Sequence, residues 1–177
     1  MRLLLNDSSV LLNLLAADCI SEIVVAMDWE IAICPAVRNE TKKLRDLSTG
    51  DMVTVDIEPL IAAGQLRLIE MDGENEAALY VQQASIVDDG EAMSIAIAAS
   101  RGIELAIDDK QALNHVRRTF PHVKLWTTPE LLKYWSDAAA VAPARLRNAI
   151  VNIETRSRYF PSKSHPLASW WLNARSI

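Results

Sequence analysis

Two cysteines in 177 residues, Cys19 and Cys34, are too few for a four-thiolate zinc site and too far apart for a redox pair. They read as small core residues in a reducing cytosol. Histidine is as scarce. His115, His122 and His165 form no cluster that offers zinc or copper a home, and His115 and His122 read as packing or surface residues. Long apolar runs are missing too. Leu3-Leu4-Leu5 is cut off by Asn6-Asp7-Ser8-Ser9, and no later stretch approaches the roughly 20 residues of a membrane helix. A soluble, cytoplasmic protein with no membrane partner is expected. Half of the residues are apolar and 23% are charged, an ordinary balance for one globular domain with a self-sufficient core.

The net charge of −5 is unevenly spread. Beyond residue 141, Arg145, Arg147, Arg156, Arg158, Lys163 and Arg175 face only Glu154, which leaves a tail of +5 and a body of −10. An acidic body argues against simple charge-driven binding of nucleic acid there, while the tail permits contact. A solvated helix face explains the tail equally well. His165, beside Trp170 and Trp171, suits stacking on RNA bases, although packing is the commoner fate of such a cluster.

Strand and helix signals alternate along the chain. Arg2–Asn6 reads as a strand, Asp7-Ser8 as a cap, and the run from Val10 as a helix, with a second helix over Ile20–Met27. Glu30–Cys34 is β-like and stops at Pro35, from which a helix is expected to about Leu47. Val53–Ala63 also looks helical. Further strands are expected at Leu66–Met71, Ile103–Ile107 and Val123–Trp126. Helices are expected over Glu74–Ile86, over Glu91–Arg101, from Asp108-Asp109 to Arg118, from Pro129, and around Pro143–Glu154. The pattern predicts an α/β fold with a mostly parallel central sheet covered on both faces. Residues 1–137 are expected to form the domain. Residues 138–177 would be a basic extension, helical and then irregular through its proline- and tryptophan-rich end.

Four carboxylates stand out, and each has a structural explanation. Asp7 and Asp108 sit between a strand and a helix, where capping aspartates are common. Glu91 lies in a helix first turn, where the dipole favours negative charge, and Glu40 lies on a helix with a polar face. Jointly they suggest more. In a parallel sheet the strand ends share one edge, where ligand crevices form, and Asp7 and Asp108 both stand there. Glu91 opens a helix with almost no polar face. On the expected long helix, Glu40 would share the inward stripe of Val37, Leu44 and Leu47. Four converging carboxylates repel one another unless protons or a cation intervene, and such oxygens suit Mg²⁺ or Mn²⁺. Such an ion beside an open crevice is suited to phosphodiester hydrolysis.

Asp7-Ser8-Ser9-Val10-Leu11-Leu12-Asn13-Leu14-Leu15 resembles the opening motif of PIN domains. Cys34-Pro35-Ala36-Val37-Arg38-Asn39-Glu40 is similar to their second motif and Gly90-Glu91-Ala92-Met93-Ser94-Ile95-Ala96 to their third. Ile107-Asp108-Asp109-Lys110-Gln111-Ala112 is similar to their fourth. Order and spacing agree from about residue 2 to residue 135. The resemblance implies a three-layer α/β/α fold and a ribonuclease dependent on Mg²⁺ or Mn²⁺. Asp7, Glu91 and Asp108 would be its ligands, with Glu40 as ligand or water-orienting group. Asp109 is a weaker candidate for the fifth acid that the family often carries. It also implies, as for many members, the toxin of a toxin–antitoxin pair, with RNA as substrate and a small antitoxin as partner. A homo-oligomer is expected as well. The chain departs from common toxins in its last forty or so residues. A haloacid-dehalogenase phosphatase is disfavoured because Ser9 stands where its second aspartate belongs. A receiver domain is disfavoured because Asn6-Asp7 supplies one acid where two are needed. The competing reading is a catalytically idle PIN-like binding or scaffolding module.

Overall fold

Leu4 and Leu5 are both wholly buried, although neighbouring strand residues point to opposite faces. The strand that carries them is therefore covered on both sides, as in the middle of a parallel sheet. A computed structural model describes residues 2–40 and 42–176. Its elements run β1 (Arg2–Asn6), α1 (Ser8–Ala17), α2 (Ile20–Met27), β2 (Trp29–Ile33), α3 (Pro35–Asn39), β3 (Lys43–Arg45), β4 (Met52–Thr54), α4 (Glu58–Ala62) and β5 (Arg67–Leu68). They continue with α5 (Gly73–Gln83), α6 (Asp89–Arg101), β6 (Glu104–Ala106), α7 (Lys110–Thr119), β7 (Leu125–Trp126), α8 (Thr128–Ala138) and α9 (Pro143–Asn152). A π-helical turn, Ile153–Ser157, and α10 (Ala168–Ser176) follow.

Five strands form one sheet in the order β5-β2-β1-β6-β7, every pairing parallel. With its flanking helices this is the expected three-layer α/β/α fold. From β1 the chain works outward through β2 to β5, then returns to the other side of β1 with β6 and β7. Connections that leave a strand in opposite directions open a crevice at the carboxyl ends of the two strands, here β1 and β6. Asn6 pairs with Ala106, so these two ends are level.

The chain divides into two compact units. The first comprises residues 2–11, 29–40 and 56–127 and holds the sheet with α3 to α7. Within it α6 packs against α3, α5, β1 and β6, and Ala92, Ile95, Ala96, Ile97 and Ala98 are all wholly buried. Asp88 caps its start, and Gly102, at a φ of 65°, closes it in the left-handed conformation. Arg101 ties α6 to α5 through two bonds to Glu76, at 2.6 and 2.7 Å. Glu76 is only 3% exposed. Removing the guanidinium strands a buried charge, so Arg101→Ala is expected to cost about 2–3 kcal/mol in urea unfolding. A loss below about 0.5 kcal/mol would mean that water replaces the pair without penalty.

The second unit comprises residues 12–28, 42–55 and 128–176. Its core includes Trp135 and Trp171, and several of its buried polar groups are paired. Trp171 Nε1 donates to Glu154 at 2.9 Å, Arg175 bridges the same carboxylate at 2.7 Å, and Asn13 joins Thr128 to Ser157. Three sequence expectations are corrected. No helix runs from Pro35 to Leu47, because α3 ends at Asn39 and Lys43–Arg45 pairs antiparallel with Met52–Thr54. Val53 and Thr54 belong to that hairpin, and within Val53–Ala63 only Glu58–Ala62 is helical. Turn chemistry decides this: Asp46 accepts from the Ser48 and Thr49 amides, and Gly50 turns at a φ of 79°. The Trp170-Trp171 segment, expected to be irregular, is helical, with Trp171 and Ala174 buried on one face. Cys19 and Cys34 are buried free thiols, as the sequence suggests. No single helix among the described residues is long and apolar enough to cross a membrane.

Candidate functional site

Asp7 follows β1 at the switch point and is 4% exposed. Its amide donates to the Ala106 carbonyl at 2.9 Å, which fixes it beside the end of β6. Its side chain caps α1: Oδ2 accepts from the Ser9 amide at 3.2 Å and the Ser9 hydroxyl at 2.5 Å. These bonds favour the ionised form, but burial outweighs them and raises the carboxyl to about 6, with the Asp88 charge adding to the rise.

The return connection brings α6 down with its first turn at the same edge, since a helix leading into a parallel strand runs against it. Glu91 stands in that turn, 8% exposed. Burial is the main cause that raises its carboxyl to about 8, followed by the charges of Asp7, Asp88 and Asp109. Asp88 is a member of the cluster that the sequence reading passed over. Its Oδ1 accepts from the Glu91 amide at 3.0 Å, and its charge bears on both Asp7 and Glu91. The D-x-x-E spacing of a capping sequence, Asp88-Asp89-Gly90-Glu91, is the signal that marks it.

After β6 come Asp108, half-buried, and Asp109, exposed. Asp109 caps α7 by accepting from Ala112 N at 2.8 Å, and from this segment it is the Asp109 charge that bears on Glu91. Glu40 arrives differently from the sequence expectation. It is the exposed, extended residue that terminates α3, not part of an inward stripe, and Leu47 is 58% exposed. Its carboxylate nevertheless lies against Gly90, next to Glu91. The edge thus gathers Asp7, Asp88, Glu91 and Asp109 electrostatically, sets Glu40 against the first turn of α6, and leaves Asp108 at the strand end.

Among the described residues no three His, Cys, Asp or Glu side chains close into a ready-made metal cage. Magnesium does not need one, since it keeps several waters and is usually held by one or two carboxylates. The donors are hard oxygens, and the neighbouring charges that raise Glu91 are all negative. Both properties fit a small divalent cation. A protonated Glu91 at neutral pH is what this cluster adopts without one.

A family model described as PIN domain matches residues 3–120, which contain Asp7, Glu40, Asp88, Glu91, Asp108 and Asp109. No curated protein and no solved structure matches the chain.

Proposed function

The chain belongs to the PIN-domain family, and on that premise we propose that it is a Mg²⁺- or Mn²⁺-dependent endoribonuclease with its active site at the β1–β6 switch point. PIN domains are generally nucleases and usually use divalent metals. The observation that carries the reading here is a pair of buried acids, Asp7 and Glu91, both raised above the carboxylate range by burial and by negative neighbours.

Asp7, Glu91 and Asp108 are the proposed ligands, with Asp109 a further donor from the same turn and Glu40 ligating the ion or orienting its water. Bound there, the ion would polarise a phosphoryl oxygen and lower the pKa of the attacking water. Ser9 holds the Asp7 carboxylate by two hydrogen bonds. Asp88 fixes the Glu91 backbone and keeps the first turn of α6 at the sheet edge. The role of toxin, held in check by a small antitoxin, rests on the resemblance of the four motifs. The test is incubation of pure protein with mixed RNAs. Cleavage is expected with Mn²⁺ or Mg²⁺, should stop with EDTA, and should return when metal is restored. No cleavage under any of these conditions would return the chain to the binding-module reading.

Two cations of the basic tail are already engaged within the fold. Arg145 bridges Glu22 at 2.6 Å and bonds the carbonyls of Ala17 and Asp18, while Arg156 bonds the Ala16 carbonyl. Arg145→Ala is therefore expected to cost about 2 kcal/mol of stability. The salt dependence of RNA binding should stay unchanged. A slope flattened by about one unit would instead make Arg145 a phosphate contact.

A further inference from the structure

Gly90 has no backbone reason to be glycine. Gly50, Gly64, Gly73 and Gly102 take positive φ, whereas Gly90 lies in the first turn of α6 outside that region. A glycine in a helix costs roughly 0.5–1 kcal/mol against alanine. What a side chain would meet explains it. A Cβ built on Gly90 would collide with Glu40 Oε1 and stand 3.4 Å from Glu40 Cδ, with Val37 Cγ2 also at 3.4 Å. The last two are tight but tolerable contacts. The first is impossible, so the Glu40 carboxylate occupies the space that every other residue at position 90 would fill.

Glu40 ends a five-residue helix in an extended conformation and is exposed. In that space its carboxylate is held at the start of α6, one residue from Glu91 and where the helix dipole favours negative charge. We propose that Gly90 is a positioning residue, whose missing side chain is the seat that holds the Glu40 carboxylate beside Glu91. The functional half of this rests on the nuclease reading above; the seat itself does not. Because the obstructing atom is the far end of an exposed side chain, filling the seat displaces Glu40 without disturbing the core.

A double-mutant cycle tests both halves with four proteins: wild type, Gly90→Ala, Glu40→Ala and the double variant. Thermal scans in EDTA test the seat. In the Glu40→Ala background the seat is empty, and Gly90→Ala should raise Tm by roughly 2 °C through helix propensity. In wild type the same change should gain less or lower Tm. Equal shifts in the two backgrounds would overturn the seat. Mn²⁺ titration tests its consequence. Gly90→Ala and Glu40→Ala should each weaken binding by roughly tenfold, and the double variant no further. Independent, multiplying losses, or wild-type affinity in Gly90→Ala, would overturn the positioning role. If wild type itself neither binds Mn²⁺ nor cleaves RNA, the nuclease reading falls and positioning with it, while the EDTA scans still decide the seat.

Discussion

Asp7→Asn is expected to reduce RNA cleavage on the order of a thousandfold, while the protein folds as before. Asparagine keeps the size of the side chain and remains a good cap, so the bonds to the Ser9 amide and hydroxyl can re-form and α1 retains its start. What it removes is the charge. That charge is unfavourable in the metal-free protein, where burial holds the Asp7 carboxyl at about 6. The variant should therefore melt in EDTA at or above the wild-type temperature, as replaced site residues often do. Circular dichroism, a melt and a timed cleavage assay decide it together. Loss of activity with loss of fold would make Asp7 a structural cap; retained activity would remove it from the site.

The second large effect is on stability, and it has an unusual sign. A carboxyl whose folded pKa is raised binds its proton more tightly in the folded state, so its contribution is complete below the ordinary pKa and lost as pH rises. For Asp7 the loss runs from about 4 to about 6, and for Glu91 from about 4.5 to about 8. Asp7 alone represents up to about 3 kcal/mol. Metal-free protein should thus be less stable at pH 8 than at pH 5.5. The lowered acids, Asp46, Glu58, Glu76 and Glu104, act only below their ordinary pKa and leave this window alone. Excess Mn²⁺ should reverse the trend, because a metal competes with protons for the same oxygens. At a hundredfold excess over Kd it would add roughly 2.7 kcal/mol. Glu91→Gln should flatten the fall above pH 6 and lose most of the metal increment. A metal-free protein whose stability is level or rising between pH 6 and 8 would mean that these acids are not held as described.

The parts of the site that are legible in the sequence are those where local signals agree. An apolar run followed by a capping residue marks the ends of β1 and β6, and the alanine-rich run after Gly90 can only be a buried helix. Asp7, Glu91 and the Asp108-Asp109 pair follow from those junctions. Glu40 is different. It was placed by the periodicity of Val37, Leu44 and Leu47, yet Leu44 belongs to a strand. The Asp46–Gly50 turn, whose side-chain bonds outweigh the helical spacing, overrides that periodicity. Glu40 meets the edge against Gly90, a contact fifty residues away in the chain that no local pattern encodes. Asp88 hides behind its role as a cap, and the helix of Trp171 behind the prolines that precede it.

Direct binding of Mn²⁺ tests the central claim most closely, since it needs neither the RNA target nor a partner. Wild type, Asp7→Asn and Glu91→Gln would be titrated with Mn²⁺ at pH 7.5 and the free ion followed by its electron paramagnetic resonance signal. Saturable binding by wild type, weakened at least roughly tenfold in each variant, is the predicted result. A wild-type titration that matches buffer, or variants that bind as wild type does, would contradict the assignment of the β1–β6 edge as a metal-dependent nuclease site.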